Sequence, residues 1–219
     1  MNIHIPYGKA ELTLTLPPER VAAVLESKAH GYQAEAGEAE LVRRAMAAPV
    51  GTPKLQELAR GKKNIVIIVS DHTRPVPTQV IAPLLLEEIQ KGSPQAQVTF
   101  LVATGLHRGT TEEELREKFG PDLYGKVRIV VHDCWNKESL VQLEKLPSGG
   151  ELWLNKVAAE ADLLLAEGFI EPHLFAGFSG GRKSVLPGIV GDSTIRVNHC
   201  AEHIAHEKAR VGILEGNPI

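Results

Sequence analysis

The sequence predicts an α/β fold, a largely parallel sheet preceded by an N-terminal hairpin and helical appendage, and distinct observations carry that reading. Short apolar runs recur at 65–70 (IVIIVS), 98–103 (VTFLVA), 127–132 (VRIVVH) and 161–168 (ADLLLAEG). Each is continuous, as strands covered on both faces must be, where a half-exposed strand would alternate. Between the first three lie 79–91 and 111–119, both of helical length and amphipathic, which makes repeated βαβ units. At the N-terminus, residues 3–16 (IHIPYGKAELTLTL) alternate around the turn-like Pro6-Tyr7-Gly8, the pattern of an edge hairpin.

Pro17-Pro18-Glu19-Arg20 then opens a polar stretch rich in Ala and Glu that runs to about residue 60, with helical composition from Ala36 to Ala48. Residues 1–60 are therefore predicted to form an appendage packed on a domain of residues 61–219. The second of the amphipathic helices begins at Thr110-Thr111-Glu112-Glu113-Glu114, a capping-box pattern in which a hydroxyl and a carboxylate satisfy the first free backbone amides. Residues 139–154 carry Ser148-Gly149-Gly150 and read as a hairpin before the fourth parallel strand.

Composition bounds the function. The 219 residues are 43% hydrophobic and 23% charged, enough for a buried core and incompatible with a disordered or fibrous chain. A formal net charge of -3, no basic block and few aromatic residues to stack on bases argue against nucleic-acid binding. No apolar run approaches the roughly 18–20 residues of a membrane span, and the start lacks the apolar stretch of a secretory signal, so a cytoplasmic protein without a membrane partner is expected. Cys134 and Cys200 offer neither a disulfide framework nor a CxxC spacing.

Open α/β sheets bind ligands at the carboxyl ends of their strands, and the loops predicted there can be read directly. After the first strand comes Ser70-Asp71-His72-Thr73-Arg74-Pro75-Val76-Pro77-Thr78, and after the second Thr104-Gly105-Leu106-His107-Arg108-Gly109. After the fourth comes Gly168-Phe169-Ile170-Glu171-Pro172-His173, running into FAGFSGGRKSVLPGI. Asp71 and Arg74 present a carboxylate and a guanidinium fork, or else a helix cap and a surface cation. His107 and His173, each beyond a strand, suggest an acid and a base across one cleft, since imidazole titrates near neutrality; a lone histidine in either place reads as structural.

The glycine-rich segment from Phe178 to Ser184 supplies Gly180 and Gly181, hydroxyls and the cations Arg182 and Lys183, so its amides suit a phosphate, although Arg182 stands where a Walker A loop needs glycine. Gly177-Phe178-Ser179-Gly180-Gly181 also satisfies G-x-S-x-G, which would make Ser179 a hydrolase nucleophile. His199-Cys200-Ala201-Glu202-His203 matches H-x-x-E-H, which on one helix would let His199 and His203 share zinc. A non-catalytic nucleotide- or phosphate-binding domain is the remaining alternative.

DHTRPVPT (71–78), ATGLHRG (103–109), EPHLFAGFSGGRKSVLPGI (171–189) and Asn198-His199 together closely resemble the lactate racemase family, the nickel-pincer nucleotide enzymes. The resemblance spans most of residues 64–200 and implies a Rossmann-like catalytic and cofactor-binding domain, the N-terminal one of a longer enzyme whose C-terminal domain is absent. By similarity, Lys183 carries a pyridinium-3,5-bisthiocarboxylate mononucleotide covalently and His199 ligates its nickel, in a square-planar site that suits Ni(II). Asp71, Arg74, Gly180 and Gly181 fall in the cofactor-contacting segments, and His107 and His173 match the acid-base pair. The implied activity is racemisation or epimerisation of a small 2-hydroxy acid by hydride abstraction and return, with cofactor-biosynthesis proteins and the C-terminal domain as partners.

Overall fold

The structure is a computed structural model that describes residues 1–8 and 10–219. The chain divides into two compact units, Met1–Gly37 and Glu38–Ile219. In the first, β1 (Asn2–Tyr7) and β2 (Ala10–Thr15) pair antiparallel as the alternation predicts, with Ile3 opposite Leu14 and Ile5 opposite Leu12. The matched register gathers these apolar side chains on one face of the hairpin. Lys9, which falls in the predicted hairpin, lies outside the described residues.

The larger unit begins earlier than the change of pattern at residue 64 suggests. Helices α1 (Glu38–Ala47) and α2 (Leu55–Leu58) pack on α3 (Thr78–Gly92), although the sequence reading groups residues 38–60 with the appendage. Ala59, fully buried, and Leu55 join the core under α3, while Arg43 Nη1 donates to Glu87 Oε2 at 2.9 Å. The switch to continuous apolar runs marks the first parallel strand; the boundary between the units lies at Gly37.

Strands β3 (Asn64–Ser70), β4 (Gln97–Ala103), β5 (Arg128–Val131) and β8 (Leu163–Ala166) form a four-stranded parallel sheet in the order β5-β4-β3-β8. Side chains alternate between two cores. Ile65, Ile67, Val69, Phe100 and Val102 meet α3 and α4 (Glu112–Leu123), with Phe100 edge-on to Phe119 at 5.3 Å. Val66, Ile68 and Leu101 meet Ala158 and Ile189 on the opposite face. The capping box forms as predicted: Thr111 Oγ1 accepts from Glu114 N–H, and Glu114 accepts from Thr111 N–H. Gly120, at a φ of 69°, followed by Pro121, breaks the helical path near the end of α4.

Between β5 and β8, β6 (Leu140–Gln142) and β7 (Trp153–Asn155) make the expected antiparallel hairpin, followed by the short α5 (Lys156–Ala159). A buried histidine holds this region to the sheet. His132, 1% exposed, follows β5; its Nε2 donates to Val190 O at 3.0 Å, and its Nδ1 accepts from Asn155 Nδ2 at 3.0 Å. The strand order reverses beside β3, the first of the parallel strands, whose sequential neighbour β4 lies on one side and the much later β8 on the other. A crevice is expected at the carboxyl ends there. No helix among the described residues is long and apolar enough to cross a membrane.

Candidate active site at the strand carboxyl ends

That crevice is present as a cleft of about 280 Å³. Ser70 and Asp71 line it from the end of β3, Thr104, Gly105 and His107 from the end of β4, and Gly168 and Phe169 from the end of β8. The later segment adds His173, Gly180, Lys183 and His199. Of the residues singled out in the sequence, Asp71, Arg74, His107, His173, Gly180, Lys183 and His199 all reach this one cleft. Gly181 lies one residue beyond Gly180, outside the wall of the cleft.

Asp71 is not a helix cap. The residue before α3 is Pro77, and the Asp71 carboxylate turns instead toward the cleft, 1% exposed. Its Oδ1 accepts from Thr73 N–H at 3.0 Å and Thr73 Oγ1 at 2.6 Å, and its Oδ2 lies 2.6 Å from His107 Nδ1. Burial pushes this carboxyl up, but the Thr73 hydroxyl, the His107 ring and the Thr73 amide outweigh it and hold Asp71 below the usual carboxylate range. His107 is delivered by a turn in which Gly105, at a φ of 54°, donates N–H to Gly188 O and His107 N–H returns to Thr104 O.

His173 stands in a minimal hairpin, β9 (Pro172–His173) with β10 (Gly177–Phe178). Its Nδ1 accepts from Phe175 N–H at 3.4 Å and Ala176 N–H at 3.3 Å. Burial, then the charges of Lys183 and Arg74, lower its pKa. Ser179, which the G-x-S-x-G pattern offers as a nucleophile, is buried as a loop tie: Oγ donates to Phe169 O at 3.0 Å and accepts from Glu171 N–H at 3.2 Å. Among the described residues no imidazole is hydrogen-bonded to it, so the hydrolase elbow is corrected to a structural role.

Gly180, at a φ of 75°, lets the chain pass Phe169 O where a Cβ would come within 2.9 Å, and it leads into the single 3₁₀ turn Gly181–Ser184 that carries Lys183. Burial, then the Arg74 charge, lowers the Lys183 ammonium to about 8. His199 closes α6 (Asp192–Asn198), and burial, then Lys183 and His173, lower its pKa. Its Nδ1 is buried with no hydrogen-bond partner among the described residues. The chain turns at His199 and Cys200 before α7 (Ala201–Ala205), and His203 Nδ1 contacts Asn198 O at 3.0 Å. His199 and His203 therefore share no continuous helix. Among the described residues no group of at least three His, Cys, Asp or Glu could hold a metal, so the zinc-peptidase reading is corrected.

Phe175, inside the segment 171–189, is given no role by the sequence reading. The Phe175 ring is edge-on to His173, with centroids 4.6 Å apart, and edge-on to His199 at 5.3 Å, while Lys183 Nζ lies 5.8 Å from its centroid. The signal available in the sequence was its place two residues after His173, inside the segment 171–189. Chemically, the cleft brings together the His107 imidazole, the His173 and His199 imidazoles of lowered basicity, the Lys183 amine, also lowered, and the Arg74 guanidinium, an arrangement suited to an anion and to proton transfer.

Comparison with known proteins places the chain in a family. Residues 7–212 match the lactate racemase N-terminal domain family. A lactate racemase of Thermoanaerobacterium thermosaccharolyticum is 57% identical over 218 residues, which is 100% of this chain and 51% of that protein. A lactate racemase of Lactiplantibacillus plantarum is 51% identical over 217 residues, 99% of this chain and 51% of that protein. The solved lactate racemase apoprotein from T. thermosaccharolyticum superposes with a TM-score of 0.87 at 56% identity, over 100% of this chain and 51% of that one. A Thermotoga maritima protein of known crystal structure superposes with a TM-score of 0.61 at 26% identity, over 75% of this chain and 44% of that one. The chain thus spans about half the length of the curated relatives it matches. It belongs to the lactate racemase N-terminal domain family.

Proposed function

We propose that this chain is the cofactor-binding and catalytic domain of a nickel-pincer-nucleotide-dependent racemase or epimerase of small 2-hydroxy acids, with lactate the first substrate to test. The observation that carries the reading is the convergence of Asp71, Arg74, His107, His173, Lys183 and His199 on one cleft from loops far apart in the chain. The C-terminal half present in the longer relatives would complete the substrate site, and cofactor-biosynthesis proteins of the cytoplasm would load it.

The residues present fit the pincer nucleotide. Lys183, with its amine lowered to about 8, has an appreciable unprotonated fraction near neutrality, as acylation by a thiocarboxylate requires. His199 is kept uncharged by burial and by Lys183, the state in which imidazole ligates a soft divalent metal, and its buried Nδ1 has no competing partner among the described residues. When bound, the group supplies an acceptor for the α-hydrogen as hydride.

The chain's own residues supply position and protons. Arg74, with Lys183 before its acylation, gives the cleft the charge that draws a carboxylate. One imidazole of the His107 and His173 pair takes the hydroxyl proton as the α-hydrogen leaves, and a planar 2-keto acid results. The other, which must carry an extra proton before this step, gives it up when the hydrogen comes back to the opposite face and is left as the uncharged ring. Asp71 orients His107 and offsets its charge when protonated. The test is intact mass and peptide mapping of the full-length protein produced with the pincer-nucleotide biosynthesis enzymes. An adduct on Lys183 accompanied by nickel is expected; an unmodified Lys183 under conditions that load a known family member would overturn the reading.

A further inference from the structure

The two catalytic candidates are held by hydrogen bonds of opposite polarity. His107 Nδ1 faces a buried carboxylate oxygen at 2.6 Å, and an ionised carboxylate can only accept, so Nδ1 carries the hydrogen. His173 Nδ1 faces two backbone amides, from Phe175 and Ala176, which can only donate, so Nδ1 presents its lone pair. The free nitrogen of each ring, Nε2, is then set by default. In the uncharged rings it is an acceptor on His107 and a donor on His173.

We infer that the resting pair is a preset acceptor and donor, with Asp71 fixing the Nδ1–H tautomer of His107 and the Phe175 and Ala176 amides fixing the Nε2–H tautomer of His173. This rests on the proposed racemase reading for its meaning but not for its truth. A hydroxy acid entering the cleft meets a lone pair on one side and a hydrogen on the other. A hydroxyl on the His107 side is oriented before any bond breaks by donating to that ring, and one on the His173 side by accepting from it. Protonation of His173 in this ring orientation would set an Nδ1–H against the two amide hydrogens. His173 therefore becomes a cation only if its ring turns, whereas His107 gains a second hydrogen at Nε2 with its Asp71 bond intact. The enantiomer whose hydroxyl faces His107 is thus met by a ready base, and its mirror image by a ring that must first exchange its hydrogen.

Asp71 acts here as a positioning residue, and the same arrangement of carboxylate, imidazole and tautomer underlies the well-characterised loss of activity when the aspartate of a serine protease triad becomes asparagine. Thr73 helps by holding Oδ1 with both its amide and its hydroxyl, which leaves Oδ2 for the imidazole.

The test is nitrogen-15 NMR of the imidazoles in the 219-residue chain at a pH where both rings are uncharged, with assignments from His107→Gln and His173→Gln. His107 is expected as the Nδ1–H tautomer and His173 as Nε2–H. In Asp71→Asn, an amide hydrogen can replace the carboxylate acceptor, so His107 should switch to Nε2–H while His173 keeps its form. The same tautomer on both rings of the unaltered chain would overturn the inference, and so would a His107 indifferent to Asp71→Asn in a variant that retains the amide spectrum of the fold. The measurement needs neither nickel nor nucleotide. A failed tautomer assignment with a Lys183 adduct would leave the racemase reading standing, and confirmed tautomers with no adduct would do the reverse.

Discussion

The Phe175 ring meets the His199 imidazole edge-on, their planes at 89° and their centroids 5.3 Å apart. It meets His173 in the same manner on another side, so this phenyl group is the apolar spacer around which the candidate metal ligand and a candidate acid-base residue are arranged. Phe175→Leu removes both contacts. It is expected to destabilise the chain by about 1 kcal/mol, the scale of an edge-to-face pair, and to slow the loaded full-length enzyme by more than that loss of stability implies. Urea unfolding and initial rates measured on the same preparation would check it; unchanged rates would mean that the ring only fills space.

Metal retention and proton transfer are expected to separate by residue. His107→Ala or His173→Ala in the complete enzyme should lower kcat by about 10²- to 10⁴-fold, the usual contribution of a positioned acid or base, while nickel content stays unchanged. His199→Ala should release nickel. Full turnover in either of the first two, or unchanged nickel affinity in the third, would contradict the assigned roles.

Lys183 is expected to react as an amine of unusually low basicity. Its acylation by a small water-soluble ester, followed by peptide mapping across pH, should rise with a midpoint near 8, because burial and Arg74 both disfavour its ammonium. Arg74→Gln removes one of those causes and should move the midpoint upward. A midpoint above 10 in the unaltered chain, where exposed lysines titrate, would refute the assignment.

Acid should loosen the protein through His132. Burial lowers its folded-state pKa, outweighing the Val190 carbonyl and the charge of Asp133, so the fold excludes a proton that the unfolded chain binds near 6.5. The stabilising effect is whole above that value and is lost as pH falls through 6.5 toward the lowered folded-state value. Urea midpoints should decline between pH 7.5 and 5, and less so in His132→Gln, which starts lower because Val190 O and Asn155 lose a well-placed partner. Equal slopes for the two proteins would remove His132 as the acid-sensitive group.

The parallel sheet was legible because its strands are buried on both faces and leave continuous apolar runs, and the site because loops at strand carboxyl ends sit at predictable points in those runs. The capping box at Thr111 was equally plain, since it is a local pattern of side chain and backbone. What was not legible depends on contacts between distant segments. Nothing in the spacing from Asp71 to Arg74 says that the carboxylate meets an imidazole 36 residues later in the chain rather than capping the next helix. The spacing of His199 and His203 assumes one helix, and only the turn at Cys200 breaks that assumption. Residues 38–60 read as appendage because the stretch is polar and rich in Ala and Glu, while its attachment to α3 rests on Leu55, Ala59 and the Arg43–Glu87 ion pair.

The strand order also works as a gauge. His107 follows β4 and His173 lies beyond β8, and both of those strands flank β3. The chain therefore leaves the sheet toward the two histidines from points two strand spacings apart, about 10 Å. That width is set by backbone hydrogen bonding across three strands and does not change with loop sequence. A flat molecule of a few atoms can stand above the end of β3 with one approach from each side. Diversification of the loops would alter which small molecule is admitted while leaving its two faces separately addressed.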